Sequence, residues 1–183
     1  MQRSNALQAS ASLLRAGGVL KLSITMARLN VREVEGHGAI MFVNPPTEGI
    51  ARVLRTARTI AVVGLSPDRT RPSHGVAKAL QRFGYRIVPV NPFAESILGE
   101  PAVGSLEQVA EVLGPDERID IVDVFRRREH IAGIVEACIR LQLPALWLQE
   151  GVVDESAAAR AVQAGIFTVM DRCLFRERAA LRD

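Results

Sequence analysis

Aromatic residues are scarce in this chain: one Trp, one Tyr and six Phe among 183 residues. The hydrophobic 48% is therefore mostly Ala, Val, Leu and Ile, the stock of parallel strands and the helices that cover them. Cysteine is scarcer still. Cys138 and Cys173 stand far apart without a metal-type spacing, and three scattered histidines complete no zinc pattern. Such usage suits a reducing compartment, so a cytoplasmic location is expected. No apolar run approaches the roughly 20 residues of a membrane-spanning helix, which removes the membrane as a partner. Acidic residues are missing from the start, none preceding Glu33, while Arg15 and Lys21 interrupt any secretory apolar core. Residues 1–40 are expected to be a disordered or artefactual extension, because Met26 and Met41 offer later starts and recognisable organisation begins at Met41. An acid-poor, Arg- and Ser-bearing start also fits a transit peptide, which would make the location organellar.

The net charge of +3 invites a nucleic-acid reading, but its distribution argues against one. Residues 1–58 hold eight Lys/Arg and three Asp/Glu, whereas residues 59–183 hold fifteen and seventeen. The main domain is close to neutral and offers no basic face for a polyanion.

From Met41 onward the pattern alternates. Asn44-Pro45-Pro46 is an extended entry, and Thr47 reads as the N-cap of a helix with Ile50, Val53, Leu54 and Ala57 on one face. Thr59 to Val63 is a strand buried on both faces, ended by Gly64. After a polar loop, Ser73 reads as the cap of a helix to about Phe83. Arg86 to Val90 is the second strand, and Pro89 within it indicates an edge or a last paired position. A short strand near Ala102 and a helical turn after Ser105 precede the strand Ile119 to Phe125. A helix from Arg128 to Leu141, a strand Ala145 to Leu148, a helix capped by Asp154, a strand Phe167 to Met170 and a terminal helix complete the order. Long crossovers between strands imply an α/β fold: a Rossmann-like, doubly wound, mostly parallel sheet of five to six strands with helices on both faces.

In such a sheet ligands bind beyond the carboxyl ends of the strands. Four ends carry polar or glycine chemistry: Gly64-Leu65-Ser66, Asn91-Pro92, Phe125-Arg126-Arg127 and Gln149-Glu150-Gly151. Gly64 admits close backbone approach, Ser66 and Ser73 supply hydroxyls, Arg71 supplies a bidentate donor, and a helix start favours phosphate. The loop is not the dinucleotide fingerprint G-x-G-x-x-G, whose later glycines are Ser66 and Arg69 here. The acid expected on a ribose 2′-hydroxyl is Asn91. An NAD(P)-dependent oxidoreductase or redox sensor is thereby disfavoured. His74 reads as an exposed first-turn residue and His130 as surface, without a triad context. Asp120 and Asp123, three apart on one strand, face opposite ways and do not pair. Cys173, after Arg172 and before a helix, is a candidate for a mixed disulfide, though a buried inert thiol is the plainer reading.

Six segments in order carry a family resemblance: I-A-V-V-G-L-S-P-D-R-T-R-P-S, G-Y-R-I-V-P-V-N-P, I-L-G-E, D-I-V-D-V-F-R-R, W-L-Q-E-G-V-V and V-M-D-R-C. From about Met41 to Leu181 the chain resembles the stand-alone coenzyme-A-binding domains, which are similar to the N-terminal domain of the succinyl-CoA synthetase α-subunit. The resemblance implies a Rossmann-like domain over residues 41–183 that binds CoA or an acyl-CoA without catalysis. By motif, Gly64, Ser66, Arg71 and Ser73 would hold phosphates, and Asn91 and Pro92 would lie beside the adenosine. Val124, Phe125 and Arg126 would flank the ligand's path, with Gln149 and Gly151 towards the pantetheine end. Many relatives carry a basic residue after V-N-P where this chain has Phe93, leaving Arg69, Arg71 or Arg126 for the 3′-phosphate. A His frequent in the last helix is Arg178 here. A homo-oligomer, or service as partner subunit of an acyl-CoA ligase, is compatible with this reading; any ligase activity would need a separate chain.

Overall fold

The computed structural model describes residues 31–33 and 40–181. Apart from residues 31–33 and Ile40, the segment expected to be an extension or transit peptide lies outside the described residues. Strands β1 (Val31–Glu33) and β2 (Ile40–Phe42) pair antiparallel, so organised backbone already stands upstream of Met41. Helix α1 (Thr47–Thr56) follows; Pro46, not Thr47, takes the N-cap position, and no side chain caps it.

The alternating pattern then builds the expected sheet. Strand β3 (Thr59–Val63), helix α2 (Pro72–Arg82) and strand β4 (Arg86–Val90) form the first βαβ unit. A small hairpin, β5 (Ser96–Ile97) and β6 (Glu100–Pro101), leads to a 3₁₀ turn over Glu107–Glu111 and strand β7 (Ile121–Val124). The helix expected from Arg128 opens as a 3₁₀ turn, Arg128–His130, before α3 (Ile131–Arg140). Strand β8 (Ala145–Leu148), helix α4 (Glu155–Gln163), strand β9 (Phe167–Val169) and helix α5 (Leu174–Ala180) complete the described chain. Asp154 caps α4 as the sequence indicates, its carboxylate accepting from the Ala157 amide at 3.0 Å.

The order of the main sheet is β4-β3-β7-β8-β9, with every pair parallel. Val103 adds a single parallel bridge outside β4, where its amide donates to the Pro89 carbonyl. Pro89 thus turns its missing N–H to the thinly paired outer side, which is how a central-looking run tolerates it. Strand alternation divides the core. Ile60, Val62, Ile121 and Trp147 pack towards α1, α2 and α5, whereas Ala61, Val63, Val122 and Val124 pack towards α3 and α4. Strand order reverses between β3 and β7, and that reversal opens a crevice at their carboxyl ends. Among the described residues no helix is long and apolar enough to cross a membrane.

Candidate functional site

Gly64 stands at the reversal with φ +85°, donating its amide to the Val90 carbonyl at 3.0 Å. A Cβ there would lie 2.6 Å from the Phe125 carbonyl oxygen and 2.8 Å from Arg126 Cδ. Only glycine fits, because both the conformation and the space exclude a side chain. Arg126 lies directly over this turn and makes no ion pair among the described residues.

Two cavities meet here, and Gly64 and Arg126 line both. The first, about 370 Å³, lies on the α3 side between Val63, Val90, Pro92, Ser105, His130 and Ile134. The second, about 1030 Å³, lies on the α2 side and runs from Ser66, Arg71 and Ser73 past Phe125 to Gln149, Gly151 and Cys173. Nine of the eleven expected residues therefore reach one cavity or the other. Asn91 and Val124 do not line either. Val124 is buried in the α3-side core. Asn91 is committed to the backbone: its Nδ2 donates to the Leu65 carbonyl at 2.8 Å, and its Oδ1 accepts from the Phe93 amide at 2.8 Å. It ties the end of β4 to the turn after β3, holding Pro92 at the first cavity's wall.

The loop after Gly64 is largely self-satisfied. The Ser66 amide donates to Ser73 Oγ at 3.1 Å, the Asp68 amide to Ser66 Oγ at 3.1 Å, and the Thr70 amide to Asp68 Oδ1 at 2.9 Å. Those bonds to Thr70 hold the Asp68 carboxyl below its ordinary range. Helix α2 starts two residues earlier than expected, with Arg71 at the N-cap position and Pro72 inside the first turn. Ser73 is consequently not the cap; its oxygen braces the loop instead. Donors left for an anion are the Ser73 amide at the head of α2, the two serine hydroxyl protons, and the Arg71 and Arg126 guanidiniums. Arg71 is 70% exposed and only loosely paired with Asp68, at 3.9 Å, so it is able to turn to a ligand.

One histidine departs from expectation. His74 is buried rather than exposed, and the cavities' linings leave it out, whereas His130 is exposed as expected and also lines the first cavity. Arg140 joins His130 there, paired with Glu107. Sequence reasoning missed His130, Ser105 and Arg140; the helical spacing of His130, Ile134 and Ala137 was the available signal.

Asp120 and Asp123 part company as their spacing requires. Asp120 accepts from the Arg58 and Thr59 amides, at 2.7 and 3.1 Å, at the amino end of the sheet. Asp123 is fully buried, flanked in register by Val62 and Trp147. Its Oδ1 accepts from Gln149 Nε2 at 2.7 Å, while Oδ2 has no partner among the described residues. Burial pushes this carboxyl up to about 7, against the opposing pull of the Gln149 bond. An orphaned buried oxygen costs roughly 1–3 kcal/mol. Cys138 is core, and burial pushes its thiol up to about 12; Cys173 stands half-buried on the second cavity's wall.

A glycine turn at a strand-order reversal, beside a helix start and flanked by two cavities, stands where an open parallel sheet takes its ligands. The family model described as CoA binding domain matches residues 58–179. The chain belongs to this CoA binding domain family. An uncharacterised protein of Bacillus subtilis, YneT, is 41% identical over 131 residues, spanning 72% of this chain and 93% of its own. Among solved structures, a hypothetical protein from Pyrococcus horikoshii is 31% identical with a TM-score of 0.67, covering 75% of this chain and 92% of that one. A Thermus thermophilus protein is 36% identical with a TM-score of 0.66, covering 74% and 98%. A Korarchaeum dinucleotide-forming acetyl-coenzyme A synthetase shares the fold alone, at 17% identity, a TM-score of 0.52, and 62% and 26% coverage. Both cavities lie at the carboxyl ends of the strands and are lined within the matched residues.

Proposed function

We propose that this protein binds CoA or an acyl-CoA without transforming it. The nucleotide half occupies the first cavity, the diphosphate lies where the two cavities meet beside Gly64 and Arg126, and the pantetheine arm follows the second cavity towards Gln149 and Gly151. The observation that carries this reading is the meeting of two cavities at one glycine, one of about 370 Å³ and a larger one of about 1030 Å³ that runs on to Gln149 and Gly151, a shape for a base joined through phosphates to an extended arm. Ser73, Arg71 and Arg126 supply the donors that a diphosphate needs. Cys173 and His130 line different cavities, so neither activates the other, which supports binding over catalysis. Asn91 in place of an acid favours CoA over NAD at the ribose.

Calorimetric titration with CoA, acetyl-CoA, NAD and NADPH in parallel tests the proposal. CoA and acetyl-CoA are expected to bind with the nicotinamide cofactors at least tenfold weaker. Tight NAD binding without CoA binding would reverse it.

A further inference from the structure

Buried carboxylates inside a parallel sheet are unusual because an apolar residue fills such a position without desolvating a charge. Asp123 occupies one, facing the α2 side between Val62 and Trp147, and spends one oxygen on a single partner. That partner, Gln149, is 3% exposed, and what little it exposes lies on the wall of the second cavity. A carboxyl oxygen accepts, so the group Gln149 directs inward has to be its amide nitrogen. Whether Asp123 is ionised or neutral, Oδ1 stays the acceptor, since a proton has the unpartnered Oδ2 to occupy. The Gln149 amide oxygen, on the opposite side of the same planar group, is thereby left for the cavity.

We propose that Asp123 is a positioning residue that locks the Gln149 side chain, so that the second cavity presents a fixed hydrogen-bond acceptor to an N–H on the ligand. The ligand class this selects is an extended chain carrying a secondary amide at a distance from the phosphates. This rests on the reading of the protein as a CoA binder, in which the pantetheine arm carries such amides. A free Gln side chain would offer its nitrogen or its oxygen indifferently; the buried carboxyl removes that choice before the ligand arrives, which is where positioning gains affinity. Asp123 touches no ligand itself.

The test is calorimetry on the full chain with two probes: CoA, and 3′-phosphoadenosine 5′-diphosphate, which lacks the pantetheine arm. D123L and Q149L are each expected to weaken CoA about tenfold, and the double variant no more than either alone. D123N, whose amide oxygen still accepts from Gln149, should recover most of the loss seen in D123L. Neither single variant should shift the arm-less probe by more than about twofold, whereas a merely structural role for Asp123 would weaken both probes together. Should D123L not fold, Q149L keeps the contrast, because it must lose CoA affinity and spare the fragment. Additive losses, equal losses on both probes, or wild-type CoA affinity in D123L would overturn the proposal. Wild-type protein that binds the fragment as tightly as CoA would overturn it while leaving the nucleotide site standing. Failure of wild-type protein to bind either probe would instead remove the CoA reading beneath it.

Discussion

The two cavities share a glycine and an arginine yet differ in what walls them. The first combines Val63, Val90, Ile134 and Ala137, side chains that continue the apolar α3 face of the sheet out to its edge, with Ser105, His130 and the Arg140–Glu107 pair. The second opens over the other face, where Ser66, Ser73, Gln149 and the buried carboxyl behind Gln149 interrupt the apolar surface. One sheet thus offers two cavities of unequal size at one edge, one on each face, because consecutive residues of each strand face opposite ways.

The largest expected effect concerns the buried carboxyl, which only the second cavity has behind it. Asp123 ionises near its ordinary 3.8 when unfolded and only at about 7 when folded. Between those values the folded state binds more protons, so stability is greatest below the window and falls as pH rises through it. The loss is on the order of 4 kcal/mol if the full shift is realised. Urea unfolding across that range is expected to show this slope in the wild type and to lose it in D123N. Parallel slopes would mean that water reaches Asp123. Next in size is Gly64→Ala, which puts a methyl 2.6 Å from the Phe125 carbonyl at a positive φ. It should weaken CoA by at least a hundredfold, about 2.7 kcal/mol, and it should harm adenosine and pantetheine fragments alike, since the residue serves both cavities. Retained binding would place the ligand elsewhere.

Arg71→Ala isolates the second cavity's phosphate end. A lost charged hydrogen bond predicts about 1.5–3 kcal/mol weaker CoA binding by calorimetry, with a shallower salt dependence. Unchanged affinity would pass that contact to Arg126. The smallest effect is expected from Ile134→Trp, which fills part of the 370 Å³ cavity. Adenosine-containing ligands should bind about tenfold more weakly while a pantetheine fragment is untouched, as judged by competition titration. Equal losses on both would show that the two cavities do not act separately.

Much of this was legible in the chain. The strand Thr59 to Val63, the stop at Gly64, the edge position of Pro89 and the cap at Asp154 each follow from a local rule about burial, φ or a side-chain oxygen. The polar strand ends were legible as well, because the fold rule places ligands there. Individual duties were less so. Ser73 looked like a cap, but Pro72 starts the helix and turns the serine back onto the Ser66 amide. Asn91 looked like a ligand contact, yet its side chain spans 26 residues of sequence to hold the Leu65 carbonyl.

By itself the sequence determined the layered parallel sheet, since apolar strand runs separated by amphipathic helices have few ways to bury both faces. It also determined the glycine at the reversal, since no other residue takes that backbone freely. Only the tertiary structure decided which polar groups face a cavity and which are consumed by the fold. Pairs such as Asp123 with Gln149 or Asn91 with Leu65 are distant in sequence and adjacent in space, and a hydrogen bond depends on position to within a fraction of an ångström, which periodicity does not encode.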